Sequence, residues 1–185
     1  LVNLDSHPDR TLGARAMDCT VAAHEKTALI FRTRPNTFKA QGEETGADWE
    51  AIPGLGSVRW APPDISFLDQ MSLHWGSSPV LLESHAGPSN GSIWVRMPVE
   101  KVVFIGDMVM KNQPPFLAGS NLKAWLESLN LLLDSEYKGY TFISSRGGVV
   151  TPAVIKAQYD FLKHIHDKLS KSTSKKPNPA AGEKM

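Results

Sequence analysis

The sequence is poor in cysteine, in net charge and in long apolar runs, and each shortage excludes a class of protein. A lone cysteine, Cys19, excludes an intramolecular disulfide and a cysteine-rich zinc site. The formal net charge of +1 predicts no nucleic-acid partner. No apolar run approaches the ~20 residues that a membrane-spanning helix needs, so we expect no membrane partner either. One cysteine fits a reducing compartment, and the expected location is the cytoplasm.

The 185 residues are enough for one domain with a real core, and 41% of them are hydrophobic. We expect one domain over residues 1–169. Residues 170–185 have almost no apolar mass and are predicted to form a disordered tail. The chain starts at Leu1 with an apolar stretch typical of a buried strand, so we expect a domain that is incomplete at its start. Any targeting signal would then lie in the preceding part.

Predicted strands alternate with predicted helices, which indicates an α/β layered domain. The polar, Gly-rich stretch 35–56 reads as a surface insertion. An amphipathic pattern predicts a helix over 121–133, and Thr151-Pro152 is a helix start followed by a helix to residue 169. The remaining predictions are short helices over 13–17 and 25–32, and strands over 2–4, 20–23, 71–75, 79–84, 92–97, 101–105 and 140–144.

Four polar segments follow predicted apolar strands and are predicted to be loops, where α/β folds usually place their sites. They contain Asp and His, whose oxygen and nitrogen donors suit zinc, iron or manganese. A single histidine at a strand end is more often structural, so the signal lies in the order and spacing of all four. The segments are residues 5–10, 84–87, 106–108 and 145–148.

Two longer stretches around these segments are distinctive: SHAGPSNGSIWVRMPVEKVVFIGDMVM and SSRGGVVTPAVIKAQYDFL. In motif order and spacing the chain resembles the metallo-β-lactamase superfamily, over roughly residues 1–169 and most closely from Val80 to Leu169. That family orders its ligands as a His-x-His-x-Asp-His loop, a later His, an Asp after a strand, and a last His before Gly. The resemblance implies a four-layer αββα sandwich, here N-terminally incomplete because the family's opening strands are absent.

Carried onto this sequence, the family's motif implies one metal position with mixed donors and a second that is depleted. The second position retains only Asp9, because its two histidines are replaced by Arg10 and Arg146. A guanidinium has no lone pair for a metal at neutral pH. The resemblance therefore implies at most one divalent metal, zinc by preference, or none. The implied ligands of the first position are Asp5, His7, His85 and Asp107.

Each of these residues also has a plainer interpretation. Asp5 is equally typical of a loop residue that caps backbone N–H groups, and His7 and His85 are equally typical of relics. The favoured role for Arg10 and Arg146 is as counter-ions of Asp9 and Asp107, whose burial without partners would be costly. The alternative is that the two arginines clamp a carboxylate or phosphate of a small-molecule substrate.

Two functions follow, and the sequence leaves the choice open while leaning to an enzyme. The first is a hydrolase-like protein with at most one metal, in which Asp9 activates the water that cleaves an ester, thioester or amide. The alternative is a metal-free pseudoenzyme that acts as a binding or structural protein. A flavin- or glutathione-linked oxidoreductase, also found on this fold, has no supporting feature. An unpaired sheet edge predicts association with a second copy or with a missing N-terminal segment.

Overall fold

The computed structural model describes residues 1–33, 53–54 and 58–173. Most of the predicted insertion at 35–56, and the predicted tail beyond residue 173, lie outside the described residues. Within the described part, no helix combines the length and the apolar character that crossing a membrane requires.

Nine strands and four α-helices make up the described chain, together with two 3₁₀ turns at Leu12–Ala16 and Ser135–Tyr137. In chain order they are β1 (Val2–Asn3), α1 (Pro8–Thr11), β2 (Ala22–His24), α2 (Glu25–Thr33), β3 (Ile65–Phe67), β4 (Gln70–Trp75), β5 (Ser78–Ser84), β6 (Ile93–Met97), β7 (Val102–Met110), α3 (Leu122–Leu132), β8 (Thr141–Arg146), β9 (Gly148–Val150) and α4 (Pro152–Thr173).

The strands form two sheets. β1, β2 and β3 are parallel and adjacent in that order, and α2 packs on this sheet. β4 to β9 follow one another in a six-stranded sheet that is antiparallel except at the β7–β8 pair. A parallel pair needs a crossover connection, and α3 provides it. The sheets approach each other at Leu4, whose carbonyl accepts the N–H of Ile93 at 2.9 Å.

The main core lies between the six-stranded sheet and the helices α3 and α4. α3 starts where predicted, because the side chain of Asn121 accepts the N–H of Ala124 at 3.1 Å. Its apolar stripe then buries Trp125 completely. The other buried residues of this core are Trp94, Val103, Ile105, Met108, Val109, Leu129, Leu132, Tyr137, Phe142, Val150, Ile155 and Leu162.

Polar contacts in the core fix the carboxyl-terminal half of β7. Gln158 of α4 accepts the N–H of Met110 at 2.7 Å and donates to the carbonyl of Met108 at 2.6 Å. The indole N–H of Trp125 donates to the same carbonyl at 3.1 Å. These contacts satisfy backbone groups that would otherwise be buried without partners, and they hold in place the segment that carries Asp107.

The prediction of a polar loop at 106–108 was wrong, because β7 continues to Met110. Its pairing with β8 changes register between Phe104 and Gly106 and again before Met110. Gly106 has φ 57°, a left-handed conformation that favours glycine at such an irregularity. Asp107 therefore projects from within a strand. Arg146, also predicted in a loop, is the last residue of β8.

Three other elements differ from the prediction. The predicted loop 5–10 turns into α1 at Pro8, because proline suits the first turn of a helix. The predicted helix at 13–17 is the 3₁₀ turn Leu12–Ala16. α4 continues four residues past the predicted end at 169, and the hydroxyl of Ser170 donates to the carbonyl of His166 at 2.9 Å in this extension.

Candidate functional site

Five of the seven predicted site residues meet in one cluster where β1, β7 and β8 approach α1. The cluster contains two carboxylates, two guanidinium groups and one imidazole. Asp107 comes from β7, Arg146 from the end of β8, and the other three from the segment that follows β1. The five residues are His7, Asp9, Arg10, Asp107 and Arg146, and we call them the ion-pair cluster.

Asp107 is the buried centre of the ion-pair cluster, with a side chain that is only 1% exposed. Arg146 donates from Nε to Oδ2 of Asp107 at 3.0 Å. The Nη2 atom of Arg10 lies 3.3 Å from Oδ1 of Asp107. This second contact is an ion pair but not a hydrogen bond, since Oδ1 has no hydrogen-bond partner among the described residues. Both oxygens of the carboxylate thus face a positive charge.

Arg146 also reaches a second carboxylate. Its Nη2 atom donates to Oδ2 of Asp9 at 2.8 Å, so one planar guanidinium joins Asp9 to Asp107. The remaining oxygen of Asp9 lies 2.5 Å from Nδ1 of His7. Asp9 therefore has a partner at each oxygen.

Phe116 packs against two members of the ion-pair cluster, His7 and Arg146. Its ring stacks on the imidazole of His7, with centroids 5.1 Å apart and an angle of 15°. The guanidinium carbon of Arg146 lies 4.9 Å from the centroid of the same ring. A cation over an aromatic face is attracted by the ring quadrupole. The sequence does not identify Phe116 as a site residue, because the loop that carries it shows only two prolines and no ligand pattern.

The charges of the ion-pair cluster reinforce one another. Burial alone would raise the pKa of Asp9, but the hydrogen bond with His7 and the charge of Arg146 outweigh it and hold that pKa below its usual value. Burial alone would lower the pKa of Arg146, but hydrogen bonding and charge from Asp107 and Asp9 raise it. Asp9 and Arg146 are therefore both charged at neutral pH.

Asp5, a predicted metal ligand, lies beside the cluster and is buried. Its Oδ1 accepts the backbone N–H of His7 at 2.7 Å. Burial raises the pKa of Asp5, and the nearby charge of Asp107 adds to the effect, while the hydrogen bond from His7 opposes it. This contact is the backbone-capping role that the sequence left open as the alternative to a ligand role.

His85, the remaining predicted ligand, takes its contacts elsewhere. Its ring stacks on fully buried Trp94, with centroids 3.6 Å apart. It lines a separate polar cavity of about 250 Å³ together with His24 and Asn121. The Nδ1 atom of His24 accepts the N–H of Lys26 at 2.9 Å. Burial lowers the pKa of His85 to about 4, so its imidazole is neutral at neutral pH.

The low pKa of His85 predicts a stability that depends on pH. The pKa of His85 is about 4 in the folded protein and near 6.5 in the unfolded chain. The free energy of unfolding is therefore highest above pH 6.5 and decreases as the pH falls toward 4. Between pH 6.5 and pH 4, we expect the free energy of unfolding to fall by on the order of 2 kcal/mol less in His85→Phe than in the wild type. Urea unfolding of both proteins across that range measures it. Parallel curves for the two proteins would contradict a desolvated imidazole.

These donors do not fit a metal ion in the observed arrangement. Among the described residues, no group of three or more His, Cys, Asp and Glu side chains is placed to bind one. The oxygens of Asp107 face two arginines, those of Asp9 face His7 and Arg146, and His85 stacks on Trp94.

The sequence matches the model of the metallo-beta-lactamase superfamily over residues 8–138, well over half of the chain. The chain belongs to the metallo-beta-lactamase superfamily. The matched range includes Asp9, Arg10, His85 and Asp107, whereas Asp5, His7 and Arg146 lie outside it. No curated protein sequence matches the chain.

Solved structures of the metallo-beta-lactamase superfamily confirm the αββα fold. A metallo-beta-lactamase from Pontibacter korlensis is 19% identical in sequence, with a TM-score of 0.66. The match covers 88% of this chain and 67% of that protein's chain. The DIM-1 metallo-beta-lactamase, in a crystal exposed to ceftazidime, is 15% identical with a TM-score of 0.62, covering 89% and 67%. A family protein from Thermus thermophilus is 16% identical with a TM-score of 0.61, covering 90% and 60%. At these identities the likeness establishes the fold alone.

Proposed function

We propose that this chain is a metal-free member of the metallo-beta-lactamase superfamily that acts as a binding protein. The observation that carries the proposal is the position of the two arginines against Asp107. A carboxylate that is 1% exposed has a guanidinium at each oxygen, at 3.0 and 3.3 Å. Positive charge is therefore already supplied where a metal ion would supply it.

The charges of the cluster balance without a further cation. Two carboxylates, Asp9 and Asp107, face two guanidinium groups, Arg10 and Arg146. Two unit charges 4 Å apart interact by about 4 kcal/mol at the effective dielectric near a protein surface, and a divalent ion doubles that. A divalent ion among these residues would thus be repelled by each arginine by about 8 kcal/mol. Each carboxylate would attract the ion by about the same amount, so the two contributions cancel and the cluster as a whole offers a divalent ion no net electrostatic attraction.

The alternative of a metal-dependent hydrolase has less support from the same residues. Its catalytic residue, Asp9, was predicted to orient or deprotonate water. Both oxygens of Asp9 are already in contact with His7 or Arg146. These contacts keep the pKa of Asp9 low, which makes it a weak base. The fold is that of a superfamily of hydrolases, but hydrolysis by this chain remains a prediction.

The proposal is tested by the metal content of the wild-type protein. We expect substoichiometric metal by elemental analysis after purification without chelator, and no saturable zinc binding by calorimetry at neutral pH. Arg15→His, at an exposed position outside the cluster, shows how much zinc an isolated surface histidine binds. One tightly bound metal per chain would overturn the metal-free proposal and restore the hydrolase hypothesis.

A further inference from the structure

The cavity that His85 lines lies between the loop after β5 and the first turns of α2 and α3, and we call it the His85 cavity. Its volume is about 250 Å³. A cavity of about 150 Å³ holds benzene, so the His85 cavity has room for a ligand of about ten heavy atoms. It shares no lining residue with the ion-pair cluster. A ligand bound here would therefore add a function beyond the one proposed for that cluster.

Hydrogen bonds behind the walls hold the His85 cavity open. The backbone N–H of His85 donates to the carbonyl of Ser92 at 3.2 Å and closes the loop between them. The hydroxyl of Thr27 in α2 donates to the carbonyl of Gly91 at 3.2 Å and holds this loop against the helix. Gly91 has φ 86°, and a Cβ at this position would lie only 2.7 Å from Oγ1 of Thr27. Glycine allows this close approach, so the cavity is formed before a ligand binds.

The charge on the lining of the His85 cavity is positive. Lys26 lines the cavity, is exposed, and makes no ion pair with any described residue. None of the described residues that line the cavity is Asp or Glu. Two nearby carboxylates already have partners, since Glu83 accepts from Arg96 at 2.9 Å and Glu25 lies 3.8 Å from Arg32. An ammonium group without a carboxylate partner attracts an anion.

The cavity also offers neutral hydrogen-bond donors that a ligand can reach. The ring nitrogens of His85 and the hydroxyl of Ser84 have no hydrogen-bond partner among the described residues. Both side chains are partly exposed, and their polar atoms, unlike the indole N–H of Trp94, are not shut off from solvent. Asn121 caps α3 with its Oδ1 and keeps its amide N–H groups for other acceptors. Donors on several sides of a cavity suit a phosphate group, which has three or more acceptor oxygens.

We propose that the His85 cavity binds a phosphate group, either as inorganic phosphate or as the phosphate of a small monoester. Lys26 supplies the opposite charge, and Ser84, His85 and Asn121 donate to the phosphate oxygens. Hydrogen bonds with a charged partner are stronger than those between neutral groups. Inorganic phosphate fills about half of the cavity, which leaves room for the rest of an ester such as glycerol 3-phosphate.

The experiment adds glycerol 3-phosphate, inorganic phosphate and glycerol separately to the ¹⁵N-labelled full chain in a phosphate-free buffer. Glycerol is the matched ligand that lacks the phosphate group. We expect glycerol 3-phosphate to bind at least roughly tenfold more tightly than glycerol by calorimetry. It should also shift the backbone N–H signals of residues 84–92 and the ring nitrogen signals of His85. Equal binding of inorganic phosphate would identify free phosphate as the ligand, and weaker binding would identify an ester.

Substitutions then test the residues that hold the phosphate. Lys26→Gln should weaken the binding of glycerol 3-phosphate at least roughly tenfold, because it removes the charged donor. Lys163→Gln, at an exposed lysine of α4 that does not line the cavity, is the control and should leave binding unchanged. His85→Phe keeps an aromatic ring against Trp94 but removes the ring nitrogens, so it should weaken binding as well.

Three results would overturn the phosphate site. The first is the absence of saturable binding of both inorganic phosphate and glycerol 3-phosphate at millimolar concentration. The second is binding that leaves the signals of residues 84–92 in place, because the ligand would then lie elsewhere. The third is a folded Lys26→Gln protein, as judged by its ¹⁵N spectrum, that binds glycerol 3-phosphate as tightly as the wild type does.

Discussion

Replacing both arginines of the ion-pair cluster by histidine, as Arg10→His with Arg146→His, should give a protein that binds one zinc ion more than the wild type. The double substitution removes two fixed positive charges and adds two imidazole donors beside Asp9. Two nitrogens and one carboxylate oxygen, with water as the fourth ligand, form a common zinc site. Each single variant should bind little additional zinc, because one guanidinium would remain within the cluster. Calorimetric zinc titration at a pH where imidazole is neutral measures the stoichiometry.

The control for this result is a variant with the same composition, Arg15→His with Arg32→His. Both of these arginines are exposed on the surface, and they are outside the ion-pair cluster. We expect this control to bind zinc as the wild type does. If the cluster variant gains no zinc over the control, Arg10 and Arg146 do not stand at the positions of missing metal ligands. Two tightly bound ions in the wild type would place both arginines outside the site.

Local sequence patterns predicted much of this fold because they report local physics. The stripe of α3 and the Pro at the start of α4 are short-range signals, and both helices form where expected. The resemblance to the superfamily came from the spacing of polar residues after apolar stretches. That spacing also grouped Asp9 and Arg10 with Asp107 and Arg146, which are distant in sequence and meet in the structure.

Contacts that depend on three-dimensional packing were not predictable in the same way. Gly106 shifts the register of β7 against β8, so Asp107 lies within a strand and not in a loop. His85 has the spacing of a ligand, yet its ring stacks on Trp94, and the aromatic pairing is visible only once β6 is placed. Phe116 shows no periodic or motif signal at all. Its importance comes from its contacts with His7 and Arg146.

Arg146→Met should destabilise the protein by about 3–5 kcal/mol, the usual cost of removing one partner from a buried ion pair. The substitution keeps much of the volume but takes away the Nε donor that hydrogen-bonds to Asp107, whose side chain is 1% exposed. Asp9 loses its contact with Arg146 as well. Asp9 is more exposed than Asp107, so the loss of this contact destabilises the fold less. Urea unfolding at neutral pH measures the change. Arg32→Met, at an exposed arginine 3.8 Å from Glu25, is the control and should cost at most about 1 kcal/mol.

A second substitution separates the ion pair from general packing. Asp107→Leu added to Arg146→Met removes the stranded carboxylate, so the double variant should be more stable than Arg146→Met alone. Buried ion pairs replaced by apolar groups of similar size are often neutral, whereas half-removed pairs are costly. A coupling of about 2 kcal/mol or more in this double-mutant cycle would show that the arginine neutralises Asp107. Additive effects would mean that Arg146 contributes through its contact with Phe116 and its packing, and the charge-replacement argument would then fail.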